Sequence, residues 1–222
     1  PLFKIEVAHK RGKAMILEDL SNQIGQVLAE KKIDYRLETE NTWLRRREFL
    51  AINPAGEVPV LIEDDGTSIA DSQAICEYLE EVVPDPSIFP ADLKERAEAR
   101  RIVAWFDRKF SAEVSENLVG EKIFKRFLKT GAPNSALIRA GQQNIHYHLD
   151  YIGWLSERRN WLAGGVFSIA DIAAAAQLSS VDYLGDVPWE DHISAKEWYV
   201  RIKSRPSFRA ILADHLPGEP PP

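Results

Sequence analysis

Cysteine is nearly absent from this sequence, which contains Cys76 and no other cysteine among its 222 residues. A lone cysteine cannot form a disulfide within the chain, so stability has to come from a packed core. The sequence also has no apolar run of about 18 residues, and we therefore expect no transmembrane helix and no membrane insertion. Residues 1–22 contain no long apolar stretch followed by a cleavage site, so we expect no signal peptide and a cytoplasmic protein.

Positive charge is also in deficit. Lysine and arginine total 28 residues against 34 aspartates and glutamates, which gives a net charge of −6. A general nucleic-acid-binding protein carries an excess of positive charge, so we expect no nucleic-acid partner. His146 and His148 lie two residues apart in a helical pattern, and side chains at that spacing do not share a helix face. We therefore expect no metal site.

The stretch 49–82 has the clearest local pattern, which predicts a strand, a turn, a second strand and a helix. Proline donates no hydrogen bond to a sheet, so Pro59 fits the first residues of the first of these strands. The run Asp-Asp-Gly then provides a tight turn. Asp71 and Ser72 are good N-cap residues for the helix, in which Cys76 falls on the apolar side as a buried thiol.

The same stretch contains a candidate pocket formed by Val58, Pro59, Asp71 and Ser72. A cis Val58–Pro59 bond would turn the backbone polar groups of Val58 toward an extended ligand. The start of a helix favours a carboxylate, so this site suits the γ-glutamyl group of glutathione. The alternative is that Pro59 only begins a strand and that Ser72 only caps a helix, and the local pattern favours neither.

The order of the elements predicts an α/β domain followed by an all-α domain. Strand, helix and strand patterns occupy residues 2–8, 13–32 and 33–40, and the stretch 49–82 completes a thioredoxin-like plan. Helical patterns then cover residues of about 92–117, 122–129 and 136–160. We therefore predict a thioredoxin-like domain at 1–83, a proline-rich linker at 84–92, a helical domain at 93–209 and a proline-rich tail at 210–222.

The run INPAGEVPVLIEDDGTSIADSQAICEYLEE closely resembles the thioredoxin-like domain of glutathione S-transferases. This resemblance implies the transferase fold, a cis proline at Pro59 and a glutathione-type pocket at Val58, Asp71 and Ser72. A second motif is the capping box of Ser168 and Asp171. In such a motif, the side chain of each residue accepts a hydrogen bond from the backbone N–H of the other. The family carries this motif as a buried folding element, so we interpret it as structural.

The residue that ionises the thiol of glutathione in this family has no clear equivalent here. Glu18 falls where a serine is expected, and a carboxylate raises the pKa of a nearby thiol. Gly25 replaces the usual arginine one turn before Leu-x-Glu. Ser21 is the remaining weak catalytic candidate, and residues 1–26 as a whole depart from the family pattern. We therefore assign no catalytic residue and no cofactor, and treat glutathione only as a potential ligand.

Residues of about 27–218 resemble a narrower group, the FtsZ-binding transferase-like division proteins of alphaproteobacteria (FzlA type). The runs GEKIFKRF, GAPNSALIRAG, HYHLDYIGWLSERRNWLAG and VDYLGDVPWEDH carry this resemblance. It implies a homodimeric, non-catalytic adaptor that binds the FtsZ polymer at the division site and regulates constriction. That group has more chain after the proline run, which bears on filament binding.

The segment 43–47 contains our partner-binding candidates, Trp43, Arg45, Arg46 and Arg47. Tryptophan and arginine are common anchors of protein interfaces. The alternatives are that Trp43 packs on the sheet edge and that the arginines form a solvated face. The alternative function for the whole chain is an active glutathione S-transferase, in which Ser21 or a backbone N–H activates the thiol. The sequence does not identify its electrophilic substrate.

Overall fold

The protein is described here by a computed structural model that covers residues 3–8 and 19–212. The chain forms two compact units. One unit contains the residues up to Ile88 together with those from Pro206 onward, and the other is Phe89–Arg205. Some residues discussed above lie outside the described part. These are Glu18, the preceding residues 13–17 of the predicted helix, and tail residues 213–222.

A four-stranded mixed sheet organises the first unit, in the order β2-β1-β3-β4. The strands are β1 (Phe3–Ala8), β2 (Tyr35–Glu40), β3 (Val60–Ile62) and β4 (Ser68–Ala70). β1 pairs in parallel with β2, whereas β3 is antiparallel to both β1 and β4. A parallel pair needs a crossover, and helix α1 supplies it. The predicted strand–helix–strand order is therefore confirmed.

The helices of this sheet unit include α1 (Asp19–Glu30), α2 (Arg47–Ile52) and α3 (Ser72–Val82). α1 packs against α3. Its core includes Ile24, Leu28, Ile75 and Leu79, which are fully buried. Apolar residues at intervals of three to four place one face of each helix toward the same core. Cys76, on that face, is a buried free thiol as predicted.

A buried lysine joins α1 to the chain that follows α3. The Lys31 side chain is 0% exposed, and its Nζ donates to Glu80 Oε2 at 2.7 Å, Val83 O at 2.6 Å and Pro86 O at 3.1 Å. Glu80 also accepts from the backbone N–H of Ile88 at 3.1 Å. The ammonium therefore has an acceptor for each of its three protons, which is the condition under which lysine tolerates burial.

The second unit is all-helical, as predicted. Its first helix is continuous, with α4 (Leu93–Ala104), a wider π-type segment (Trp105–Phe124) and α5 (Lys125–Leu128). The sequence prediction of a break between residues 117 and 122 is therefore wrong. Gly120 lies in that interval, but its neighbours Val119 and Glu121 are buried, and tertiary packing outweighs the weak helix propensity of glycine.

Three further helices follow: α6 (Ser135–Ser156), α7 (Ile169–Tyr183) and α8 (Ile193–Lys203). α6 and α7 pack on the first helix, and α8 packs on α6. α6 ends four residues before the predicted end at residue 160. It crosses the π-type segment so closely at Gly141 that a Cβ there would lie 2.9 Å from Asn117 Cβ and 2.9 Å from Leu118 Cγ. The short helix α9 (Arg209–Leu212), which belongs to the first unit, occupies the start of the predicted tail.

Helix α7 is buried through most of its length, and a charged network begins it. The capping box has Ser168 N–H donating to Asp171 Oδ2 at 3.1 Å and Ala170 N–H donating to Ser168 Oγ at 3.3 Å. The Asp171 carboxylate, which is 0% exposed, also accepts from Leu162 N–H at 3.0 Å and from Trp198 Nε1–H at 2.9 Å. Burial raises the pKa of Asp171 to about 6, against the opposing effect of these hydrogen bonds.

Within residues 3–8 and 19–212, no helix combines the length and the apolar character that crossing a bilayer requires.

Candidate functional site

The four residues of the predicted pocket lie at one end of the β3–β4 ladder. Val60 pairs with Ala70 at that end. Val58 and Pro59 precede Val60, and Asp71 and Ser72 follow Ala70, so the antiparallel register brings the two pairs side by side. A ligand lying along this edge would contact both segments. The assignment of glutathione to it stays a prediction.

Hydrogen bonds of the Asn53 side chain hold the loop that leads into this end of the β3–β4 ladder. Asn53 Nδ2 donates to Glu57 O at 2.7 Å, and Asn53 Oδ1 accepts from Ala55 N–H at 3.2 Å. Gly56 adopts a φ of 72°, a left-handed conformation that glycine reaches without steric cost. The Val58–Pro59 peptide bond is cis, which confirms the expectation drawn from the family resemblance.

The Asp71 side chain caps the start of helix α3. Its Oδ1 accepts from the N–H groups of Gln73 and Ala74, at 2.9 and 3.0 Å, so these two donors are already used. Asp71 itself has a φ of 78°, which is unusual for a residue with a side chain and marks a site held in place by its surroundings. Ser72 is 5% exposed, and no described residue hydrogen-bonds its hydroxyl. Ser72 Oγ is therefore a polar group of this pocket that has no hydrogen-bond partner among the described residues.

The four partner-binding candidates differ in their contacts. Arg46 donates through Nε to Glu40 Oε1 at 3.1 Å and through Nη2 to Glu40 Oε2, and the Glu40 side chain is 1% exposed. Arg46 therefore compensates a buried carboxylate. Arg45 and Arg47 are exposed, and Trp43 is 41% exposed beside Leu44 at 59%. The Arg46 side chain is also 47% exposed, but its charge is paired with Glu40.

Comparison with known proteins decides the family. The profile described as "Glutathione S-transferase, N-terminal domain" matches residues 21–82. The crystal structure of a glutathione S-transferase from Rhodospirillum rubrum F11 superposes with a TM-score of 0.92 at 53% identity, over 99% of this chain and 96% of that chain. The chain belongs to the glutathione S-transferase family.

One group of relatives in this transferase family carries a more specific name. The chain is 46% identical to "FtsZ-localized protein A" of Caulobacter vibrioides, over 92% of this chain and 91% of that protein. The structure described as "FzlA from C. crescentus" has a TM-score of 0.90 at 43% identity, over 99% of this chain and 96% of that chain. "Glutathione S-transferase 3" of Zea mays is 26% identical over 90% of the chain.

Two hydroxyl groups in the described part of this transferase-family chain are candidates for ionising a bound thiol. Ser21 is buried in the first turn of α1, with 5% of its surface exposed. The Tyr78 hydroxyl donates to Glu63 Oε1 at 2.5 Å, and this hydrogen bond raises the pKa of Tyr78. A phenol that already donates to a carboxylate is a poor donor to a thiolate. The described residues also include no cluster of three or more histidine, cysteine or carboxylate side chains suited to a metal ion.

Sequence analysis missed an aromatic face on the helical unit. Trp105, Tyr147, Tyr151 and Trp154 follow one another along α6 and the start of the π-type segment, and we call this row the α6 aromatic face. Tyr147 is 56% and Trp154 is 48% exposed. The spacing of residues 147, 151 and 154 is that of one helix face, and this signal was available in the sequence.

A buried histidine supports this face from beneath. His148 Nδ1 accepts from Trp105 Nε1–H at 3.0 Å, and its Nε2 lies 3.0 Å from Glu113 Oε2. Burial lowers the pKa of His148, although Glu113 acts in the opposite direction. An imidazole that accepts at Nδ1 is neutral and carries its proton on Nε2, which donates to Glu113. This network fixes the orientation of the Trp105 ring.

Proposed function

We propose that the chain is a non-catalytic adaptor of the transferase family that binds FtsZ filaments and regulates cell division. The observation that carries this proposal is the 46% identity to "FtsZ-localized protein A" across nearly the whole length of both proteins. Residues 3–8 and 19–212 contain no evident thiol-ionising group, which supports the same function. On this proposal the protein acts in the cytoplasm, at the division site.

Within this proposal, the filament contacts the exposed loop that carries Trp43, Arg45 and Arg47. Tryptophan and arginine supply most of the binding energy in many interfaces, and these three side chains are accessible. Arg46 is set aside because its charge is used by Glu40.

The adaptor is also proposed to be a homodimer, joined through the α6 aromatic face. An interface with twofold symmetry uses the same patch on both subunits and must therefore be self-complementary. This face combines exposed rings with both charge signs, since Arg101 pairs with Glu98 at 2.7 Å and Lys109 pairs with Glu113. Two copies of it can therefore bury apolar surface while each charge meets its opposite.

Co-sedimentation tests the adaptor. Purified protein is expected to pellet with GTP-polymerised FtsZ and to remain in the supernatant with unpolymerised FtsZ. Trp43→Ala should reduce the pelleted fraction severalfold, whereas Arg126→Ala, on an exposed arginine of α5, should not. Light scattering on the same sample should give twice the chain mass of 25.1 kDa. Rapid conjugation of glutathione to 1-chloro-2,4-dinitrobenzene without pelleting would reject the adaptor in favour of an enzyme.

A working glutathione S-transferase is the second candidate, and the free hydroxyl of Ser72 favours it. If the pocket binds glutathione, Ser72→Ala should weaken binding by about tenfold, because one hydrogen bond to a charged carboxylate is lost. Isothermal titration with glutathione measures this effect. Ser87→Ala, which removes a hydroxyl that donates to Glu80 away from the pocket, is the control. Equal affinities of the Ser72→Ala variant and the unmodified protein would remove Ser72 from the site.

A further inference from the structure

The connection between α5 and α6 concentrates positive charge in a chain that is acidic as a whole. Residues 122–149 contain no aspartate and no glutamate, although the net charge of the chain is −6. The basic side chains of this stretch are Lys122, Lys125, Arg126, Lys129 and Arg139. A local excess of one sign in a protein of the opposite net charge produces a separate patch of electrostatic potential, to which ligands of the other sign are drawn.

Part of this charge is neutralised by carboxylates from outside the stretch. Lys122 pairs with Asp186 at 2.5 Å, and Lys125 pairs with Glu121 at 2.8 Å. The remaining three cations are exposed, and no carboxylate of the described residues lies within ion-pair distance of them. We call these three side chains the basic tip: Arg126, Lys129 and Arg139.

Hydrogen bonds hold the backbone that carries the basic tip, which we call the α5–α6 hairpin (residues 125–139). Glu121 Oε2 accepts from Asn134 N–H at 2.7 Å, and Asn134 Oδ1 caps α6 by accepting from Ala136 N–H at 2.9 Å. Lys129 ends α5 in the left-handed conformation, with a φ of 55°. The backbone is therefore already ordered, and a partner that binds the hairpin does not have to order it.

Two exposed leucines lie on the same hairpin. Leu128 is 41% and Leu137 is 40% exposed, and every residue between them is exposed as well. Cations beside exposed apolar side chains are typical of surfaces that bind the interface of an anionic bilayer, where phosphates attract the cations and the acyl boundary takes up the apolar groups. The backbone of a nucleic acid offers phosphates without an apolar layer, so the leucines would gain nothing there.

We infer that the α5–α6 hairpin adsorbs to a bilayer surface that contains anionic phospholipids, with the basic tip on the headgroup phosphates and the two leucines at the acyl boundary. This contact needs no membrane-spanning segment, and it goes beyond the proposed function. Each cation near an anionic surface strengthens adsorption about fivefold, so three together contribute on the order of a hundredfold. Negative charges elsewhere on the chain oppose adsorption little, because salt screens them beyond about 8 Å.

Sedimentation with lipid vesicles tests this inference. One set of vesicles contains phosphatidylcholine alone, and the other contains phosphatidylcholine mixed with phosphatidylglycerol, each at low and at high salt. Arg126→Gln/Lys129→Gln/Arg139→Gln removes the charge of the basic tip. Leu128→Ser/Leu137→Ser removes its apolar neighbours. Thermal melting establishes that each variant is folded.

A second triple variant, Lys32→Gln/Lys94→Gln/Arg108→Gln, is the matched control. It makes the same change of net charge on exposed cations of other elements. Lys32 has a φ of 54°, close to that of Lys129, so each triple variant also replaces one lysine in the left-handed conformation. Pelleting of all variants with FtsZ polymer, and fluorescence anisotropy with a labelled DNA duplex, are measured in parallel.

We expect the unmodified protein to pellet with phosphatidylglycerol vesicles at low salt, far less at high salt, and not with phosphatidylcholine alone. The basic-tip variant should bind these vesicles at least about thirtyfold more weakly and the leucine variant about threefold more weakly, whereas the control should stay within about twofold of the unmodified protein. Pelleting with FtsZ polymer should be unchanged in the basic-tip variant.

Three results would overturn the inference. The first is that the unmodified protein binds neither kind of vesicle, or binds both equally. The second is an equal loss of vesicle binding in the basic-tip and control variants, which would show that only the total charge matters. The third is an effect of the basic-tip variant on DNA binding or on FtsZ pelleting without vesicle binding, which would assign the hairpin to nucleic acid or to a protein. Because FtsZ pelleting of the unmodified protein is scored separately, none of these results decides the proposed function.

Discussion

Replacement of Asp171 by alanine should lower the free energy of unfolding by about 3–5 kcal/mol, because it removes a buried charge from a complete set of donors. The carboxylate accepts from Leu162 N–H, Ser168 N–H and Trp198 Nε1–H, and all three donor residues are 0% exposed. Urea denaturation followed by tryptophan fluorescence measures the loss. The sequence motif alone, as a lost helix cap, predicts only about 1–2 kcal/mol.

Asp92→Ala is the matched control for this experiment. Asp92 also caps a helix, accepting from the N–H groups of Lys94 and Glu95 at 2.9 and 3.0 Å, but it is exposed. It should cost about 1 kcal/mol, the ordinary value of an N-cap. Equal losses for the two variants would show that the additional contacts of Asp171 contribute nothing.

The raised pKa of Asp171 gives this experiment a pH dependence with a defined sign. The folded pKa of about 6 lies above the value of 3.8 for an accessible aspartate. Protonation of this group therefore favours the folded state, fully below pH 3.8 and progressively less as the pH rises through about 6. Removal of the carboxyl group in Asp171→Ala should abolish this component of the pH profile.

The second large effect is expected for Lys31→Ala, at about 3–5 kcal/mol of unfolding free energy, because it leaves the Glu80 carboxylate without its buried counter-charge. The double variant Lys31→Met/Glu80→Leu should recover part of this loss, since apolar residues of similar size replace a buried ion pair well. Denaturant titration of the single and double variants gives the coupling energy.

Lys196→Ala provides the comparison for a surface pair. Lys196 and Glu190 lie 2.8 Å apart, with side chains 40% and 87% exposed. Exposed pairs of this kind contribute about 0–1 kcal/mol. A loss for Lys31→Ala no larger than that for Lys196→Ala would contradict the assignment of Lys31 as a buried anchor of the first unit.

Local patterns in the sequence were sufficient for much of the fold. Pro59 and the N-cap residues Asp71 and Ser72 signalled the strand start and the helix start through backbone chemistry that depends on adjacent residues. The continuity of the helix through Gly120 was not predictable in this way, because burial of Val119 and Glu121 depends on packing by distant elements. Propensity is a weak guide where tertiary contacts decide.

The candidate sites also differ in how far the sequence predicts them. The pairing of Val60 with Ala70 follows from the hairpin, so the sequence alone brought the pocket residues together. Arg46 forms an ion pair with Glu40, and no sequence motif predicts this pair. Tyr147, Tyr151 and Trp154 share one helix face that the sequence shows, whereas Trp105 joins them only because the π-type segment packs against α6.

The contact at Gly141 has a mechanical consequence for the helical unit. A movement of α6 by one turn along its axis would bring the side chain of Leu137 or Ile145 to the place where not even a methyl group fits between α6 and Leu118. Sliding of these two helices past each other is therefore sterically blocked in both directions. Any rearrangement that a partner induces in this unit has to proceed by separation or rotation of whole helices rather than by a change of register.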